Sequence, residues 1–209
     1  ATSVQGGVDK VRTALNLPAS FNLNYDPLAA AADAATVQQA KDAVTIQTKA
    51  LQVANVLRVA NELAGAAGVS NVAKVAEAVG AKLIPASGSA DLESAASLSA
   101  ALKEVSKFAG SDSVKAVEAV VGKVASALGA LNGAMQDAVD VALQADSLAT
   151  LDVGGALSAA VQIQVVAQQA VGQAAATAVA RAVATGDTSA GSVLASLSSI
   201  NGFTDPTTL

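Results

Sequence analysis

Apolar residues recur along most of this chain at the intervals of three and four residues that are typical of an α-helix. The clearest stretch lies between residues 113 and 144, where one seam comprises Val117, Val121, Val124, Leu128, Leu131, Met135, Ala138 and Ala142. Such a seam is typical of helices that pack antiparallel in a bundle. Alternation with a period of two never runs longer than a few positions, so the pattern predicts an all-α fold.

A second long helix is predicted over residues 27–64. Asp26 is a preferred N-cap residue, and Pro27 suits the first helical position. The apolar stripe of this helix contains Ile46, Ala50, Val53, Leu57, Ala60 and Ala64. Its polar strip is narrow by comparison and contains Lys41, Thr45, Thr48, Gln52, Asn55 and Glu62. We therefore expect the helix to pack against more than one neighbour.

A third long helix is predicted over residues 153–184, and residues 153–180 of it carry no charge. The stretch is long enough to cross a bilayer, but its several glutamines would each need a hydrogen-bond partner in hydrocarbon. We therefore expect no transmembrane span and favour a central bundle helix. A helix that lines a pocket for an apolar ligand is the alternative.

Shorter helices are predicted over residues 3–16, 70–83 and 91–110, and once more after Gly186. The short connections predict one domain over residues 1–209, an elongated antiparallel bundle with three long helices and several short ones. A Ser/Gly-rich stretch at 85–90 is a possible sub-boundary. Because the sequence starts at Ala1 without Met, we expect a processed product or a fragment of a longer chain.

The composition removes several classes of function. Hydrophobic residues make up 52% of the chain and charged residues 14%, and there is no Cys, His or Trp. Catalysis that uses imidazole or a thiol is therefore excluded, and we do not expect an enzyme. The formal net charge of −5 argues against a nucleic-acid partner, because such binders carry basic surfaces.

Small residues form a seam on the helix predicted over 113–144, at Gly122, Ser126, Gly129 and Gly133. Glycine weakens a helix interior, so the seam indicates that something comes close to the backbone there. Close contact between helices is the favoured interpretation. The alternative is a groove for an elongated apolar molecule, such as a lipid or a carotenoid-like pigment, oriented by amides on the third long helix: Gln162, Gln169 and Gln173.

The part of the chain after residue 123 is negatively charged, because it contains six aspartates and a single basic residue, Arg181. Asp137 and Asp140 share a helix face and form a weak candidate calcium site, although a solvated acidic face is the favoured interpretation. Asn22, Asn24, Asp26 and Asp33 match four positions of a calcium-binding loop. Pro27 stands where that loop needs Gly, so we do not expect calcium or any other certain cofactor.

Two neighbouring segments carry a resemblance. Residues 10–18 form an amphipathic helix that ends at Leu17-Pro18, and residues 22–31 contain Tyr25-Asp26-Pro27 followed by alanines. Over about residues 8–35 this arrangement resembles the Ala-rich helical modules of large, acidic, cysteine-poor bacterial exported and surface proteins of the repeat-in-toxin or cadherin-like adhesin type. The resemblance implies an extracellular or cell-surface location and carries over no catalytic residue.

These observations support two hypotheses about function. The leading one is a non-enzymatic structural or interaction module of an exported bacterial protein, with a protein partner or self-association. The alternative is a binding protein for a hydrophobic small molecule held between the bundle helices. A coat on a granule or membrane surface is less favoured, because such coats normally carry a Lys/Arg-rich polar face and basic residues are few here.

Overall fold

A computed structural model describes residues 4–22, 24–85 and 88–189, together with Ser192, Ala195 and Leu197. Within these residues the regular structure is helical and no strand occurs. The α-helices are α1 Val4–Ala14, α2 Pro27–Ala32, α3 Val37–Ala66, α4 Val72–Leu83, α5 Ala95–Leu102, α6 Ser111–Leu143, α7 Val153–Val166 and α8 Gln173–Thr185. The helices pack on one another as a bundle, so the prediction of an all-α helical bundle is confirmed.

Helix α6 lies at the centre of the bundle and packs against α3, α5, α7 and α8. Its boundaries agree closely with the predicted 113–144. The predicted apolar seam is buried from Val117 to Met135, where each of its members has no solvent exposure. The alternation of four and three residues therefore identified the inner face of α6 correctly.

The helix predicted over 27–64 is two helices, α2 and α3, separated at Asp33–Thr36. Asp26 caps α2 as expected, since its Oδ1 accepts hydrogen bonds from the backbone N–H of Leu28 and Ala29. Thr36 then starts α3 through a capping box: Gln39 N donates to Thr36 Oγ1, and Thr36 N donates to Gln39 Oε1, both at 3.2 Å. Because this box satisfies two backbone amides that the start of a helix leaves unpaired, it allows a second helix to begin after Thr36.

The third predicted long helix is helical from Val153 to Thr185, but it is not uniform. The segment Ala167–Gly172 between α7 and α8 is a π-helix, in which the chain makes a wider turn. Asp152 caps the start, accepting a hydrogen bond from Gly155 N at 2.8 Å. Gly186, with φ 67°, ends α8 in the left-handed conformation that glycine adopts without strain.

The shorter helices begin slightly later than predicted. Asn71, rather than Ser70, caps α4. Ser94 caps α5, and α5 continues into a 3₁₀ helix, Lys103–Phe108. The first residue of the helix predicted over 3–16 lies outside the described residues, as does most of the helix predicted after Gly186.

Two apolar clusters hold the bundle together. The larger one joins α3, α4, α5, α6 and α8, and its biggest fully buried side chains include Leu63, Leu98 and Leu128. The smaller one lies between α3, α6 and α7 and contains Val44, Leu51, Met135, Val139, Ala156 and Ala160. Many core side chains are Val or Ala, so the cohesion comes from many small contacts rather than a few large ones.

Candidate functional site

A cluster of three buried amide side chains lies between α3 and α6. Gln52, Asn55 and Asn132 have no solvent exposure. Gln52 Nε2 donates to the backbone carbonyl of Asn132 at 2.8 Å, and Asn55 Nδ2 donates to Asn132 Oδ1 at 3.2 Å. Asn132 Nδ2 donates in turn to the carbonyl of Leu92 at 2.7 Å. The cluster therefore ties both long helices to the segment that precedes α5.

Lys49 connects this amide cluster to the surface. Its Nζ donates to Gln52 Oε1 at 3.0 Å and lies 3.8 Å from Glu93 Oε1. The Lys49 side chain is 21% exposed and that of Glu93 is 42% exposed. The interaction with Glu93 is thus a loose ion pair near the surface, whereas the bond to Gln52 reaches the interior.

The polar strip predicted on this helix includes Thr48, Gln52 and Asn55, and the structure buries all three. Thr48 is satisfied within its own helix, since its hydroxyl donates to the carbonyl of Val44 at 2.9 Å. Gln52 and Asn55 meet polar groups from α6 instead. The sequence indicated this outcome only by the narrowness of the polar strip, because a neighbouring helix can cover a narrow strip.

The small-residue seam of α6 contacts the backbone of another segment at Gly129. A Cβ atom at Gly129 would clash with the carbonyl oxygen of Glu93 and lie 3.3 Å from its carbonyl carbon. The close approach predicted from the glycine is therefore present, but its partner is the segment before α5. This backbone occupies the space that the groove hypothesis had reserved for a ligand.

The other members of the seam do not share that contact. Gly122 is exposed, and a Cβ atom on either Gly122 or Gly133 would meet nothing within 4 Å. The hydroxyl of Ser126 donates to the carbonyl of Gly122 at 3.0 Å. The seam therefore has one packed glycine and two open ones.

The three glutamines proposed as orienting groups all point outward. Gln162, Gln169 and Gln173 are exposed, while Ala160, Val171 and Ala178 of the same continuous helix are buried. The structure therefore does not bring these amides together with Gly129, whose close neighbour is the Glu93 backbone. Helical spacing established that the amides share a face, and packing turned that face to solvent.

The candidate calcium ligands are likewise exposed. Asp137 and Asp140 lie on the outer face of α6, where Asp140 accepts a hydrogen bond from Gln136 Nε2 at 2.8 Å. At the other candidate loop, Asn22 accepts from Asn24 N and Asp26 caps α2. Within the described part of the chain, no group of three or more acidic side chains is arranged to hold a metal ion.

The outer surface of the α7–π–α8 helix is an uncharged face. We call it the α7–α8 face and define it by Ser158, Val161, Gln162, Val165, Gln169 and Gln173. Every one of these residues is exposed, so together they form the outer side of the helix. Val161 and Val165 are each 45% exposed at its centre. Two half-exposed valines among glutamines form a surface without charge.

A groove with an apolar lining lies between α1 and α3. We call it the α1–α3 groove; its volume is about 350 Å³, and its lining residues are Val11, Leu15, Leu17, Phe21, Ile46, Lys49, Ala50, Val53, Ala54, Leu57 and Ile84. Among these described residues Lys49 alone is polar. The apolar stripe of α3 had been recognised in the sequence, but its pairing with α1 depends on how the chain folds back.

Comparison of this chain with protein-family models, with curated proteins and with solved structures found no match. Within the described ranges, none of the helices combines the length and the apolar character that crossing a membrane requires. The function is therefore inferred from the amide cluster, the α7–α8 face and the α1–α3 groove.

Proposed function

We propose that this chain is a non-enzymatic structural module that associates with a second copy of itself through the α7–α8 face. The observation that carries the proposal is an exposed helical face with no charged residue from 153 to 180. A surface designed to stay monomeric and soluble is given about 25–35% charged residues. A surface without them is free of the desolvation cost that buried charges add to association.

The pattern of the face supports a twofold partner. About a midpoint between residues 165 and 166, Gln162 mirrors Gln169 and Ser158 mirrors Gln173. In an antiparallel pair of these helices, Gln162 of one copy lies opposite Gln169 of the other. A glutamine amide both donates and accepts, so each such pair can satisfy itself. The same patch then serves both copies, as a twofold interface requires.

The charges that end the uncharged stretch fit the same arrangement. Asp152 precedes α7, and Arg181 follows the uncharged residues in α8; both are exposed. Antiparallel pairing about the same midpoint brings Asp152 of one copy near Arg181 of the other, within about 3 Å along the helix axis. Opposite charges therefore meet at both ends of the pair, which favours this orientation over a parallel one.

The oligomeric state of the purified chain tests the proposal. We expect a dimer by sedimentation equilibrium and a monomer for the variant Val161→Glu/Val165→Glu, because two carboxylates per copy would be buried without partners. Val72→Glu is the matched control, since Val72 is 44% exposed and lies outside the face. It should remain dimeric. A wild-type chain that stays monomeric at every concentration tested contradicts the proposal.

Two double variants that differ at one residue test the orientation. Gln162→Glu/Gln169→Glu places like charges opposite each other in the antiparallel pair and should yield monomers. Gln162→Glu/Gln169→Lys places opposite charges there and should restore the dimer. If both variants behave alike, the antiparallel register is wrong.

The location of the protein is a separate part of the proposal. The resemblance over residues 8–35 supports a place in an exported bacterial surface protein, where a self-associating helical module would join neighbouring chains. Protease treatment of intact cells tests this, with an antibody against the chain as the probe. Loss of the signal from intact cells is expected, and full protection would contradict the surface location.

A further inference from the structure

The α1–α3 groove is separate from the α7–α8 face, so binding in the groove is independent of self-association. Its volume of about 350 Å³ falls within the range of roughly 300–1,000 Å³ of small-molecule sites. Apart from Lys49, its described lining residues are apolar. A surface groove of this character is suited to an apolar ligand that has one polar group.

The shape of the groove depends on α3. Ile46, Ala50, Val53 and Leu57 form one wall at intervals of four, three and four residues, a stripe about 16 Å long. Leu15 of α1 and Phe21 of the following turn contribute to the lining. A stripe of this length along a single helix fits an extended, unbranched chain better than a broad ring system.

Lys49 places a cation one helical turn from the Ile46 end of the stripe. Its ammonium has three N–H donors, of which one goes to Gln52 Oε1 at 3.0 Å. Glu93 Oε1 lies at 3.8 Å, beyond ordinary hydrogen-bond distance. Because Lys49 lines the groove, an N–H of its ammonium that Gln52 does not use is available to an anionic oxygen bound there, and Glu93 competes for the same charge.

We propose that the α1–α3 groove binds a medium-chain fatty acid. The carboxylate accepts a hydrogen bond from Lys49 Nζ, and the acyl chain extends along α3 toward Leu57, a distance of about 12 Å. A charge-assisted bond of this kind selects an acid over a neutral molecule of the same length. The position differs from the groove hypothesised from the sequence, since it lies on α1 and α3.

Calorimetric titration of the full chain with octanoate, decanoate and laurate, each below its critical micelle concentration, tests the apolar part of the site. We expect saturable binding of one molecule per chain, tightening by about fourfold for each added methylene. Absence of saturable laurate binding overturns the proposal. Equal affinity for all three acids overturns the assignment of the acyl chain to the groove.

The charge assignment is tested by two substitutions with opposite expected effects. Lys49→Met should weaken laurate binding by about tenfold and leave dodecanol binding unchanged, because the alcohol has no carboxylate for the ammonium. Glu93→Gln removes the competing carboxylate and should strengthen laurate binding. Lys41→Met, on the same helix outside the groove, is the control and should change neither affinity. Equal losses for laurate and dodecanol in Lys49→Met contradict the carboxylate contact.

Filling the groove provides a third test. Ala54 lines it and is partly exposed, so Ala54→Phe should occupy the path of the acyl chain while the helix content, measured by circular dichroism, stays the same. Loss of both laurate and dodecanol binding is expected. Undiminished binding by this variant would place the ligand elsewhere and overturn the proposal.

Discussion

The side-chain amide of Gln52 on α3 donates a 2.8 Å hydrogen bond to the backbone carbonyl of Asn132 on α6, with both residues fully buried. A carbonyl within a helix has a second lone pair, so it can accept this bond in addition to its helical one. The Asn132 side chain reaches onward to the carbonyl of Leu92. One residue of α6 thus fixes the position of α3 and of the segment before α5.

Replacement of Asn132 tests how much this cluster stabilises the bundle. Asn132→Ala removes the partner of the Asn55 amide and of the Leu92 carbonyl, and each loss leaves a buried polar group unpaired. We expect the free energy of unfolding in urea to fall by about 2–4 kcal/mol. Asn24→Ala is the control, because Asn24 is exposed, and it should change stability by less than about 0.5 kcal/mol. A near-neutral Asn132→Ala would mean that water replaces the lost partners.

Two glycines on α6 should respond to alanine with opposite signs. At Gly129 the added methyl group meets the Glu93 carbonyl, so Gly129→Ala should lower stability by about 1–3 kcal/mol. At Gly133 nothing lies within 4 Å of the new Cβ, so Gly133→Ala should gain about 0.5–1 kcal/mol from helix propensity. Thermal or urea unfolding of the two variants makes the comparison. If both variants were more stable than the wild type, the backbone at Glu93 would have moved away from the new methyl group without loss of stability.

The capping box at the start of α3 is a further target. Thr36→Ala removes the hydroxyl that accepts from Gln39 N, and the expected loss of stability is about 1 kcal/mol. Thr36→Ser keeps the acceptor and should preserve most of the stability. If Thr36→Ala has no effect in urea unfolding, the separation of α2 from α3 depends on packing rather than on the cap.

Tyr25 offers a titration that can be followed at a single site, because it is the only tyrosine and the chain has no tryptophan. Partial burial, with a smaller contribution from the negative charge of Asp42, raises the pKa of Tyr25 above its ordinary value. The neutral phenol is therefore favoured by folding. The neutral Tyr25 ring contributes this stability in full at pH values below the pKa of Tyr25 in the unfolded chain. The contribution is lost as the pH rises through the pKa of Tyr25 in the folded chain.

Ultraviolet difference spectra of tyrosinate formation measure this shift directly. We expect ionisation of Tyr25 at a higher pH in the folded chain than in urea, and Asp42→Asn should move the folded pKa back part of the way. Asp33→Asn is a suitable control, since Asp33 is a neighbouring carboxylate and does not contribute to the shift. Identical titration curves for folded and unfolded chains would contradict the burial of the ring.

Local spacing was sufficient to predict much of the secondary structure. The seam from Val117 to Met135 identified the buried side of α6, and Asp26 was recognised as a cap from its position alone. These features depend on interactions within three or four residues, which a single sequence displays directly. The break at Thr36 is equally local, since its Thr-x-x-Gln signature marks a helix start inside the stretch predicted as one helix over 27–64.

The sites themselves depended on the tertiary structure. Spacing showed that Gln162, Gln169 and Gln173 share a face of the helix. Whether that face meets the core depends on the other faces of the same helix, and here the face with Ala160 and Val171 is the one that packs inward. Gly129 indicated a close contact but not its partner, Glu93, because that partner is distant in sequence. Periodicity defines the faces of a helix, and only the competition among all faces for a limited core determines which of them become buried.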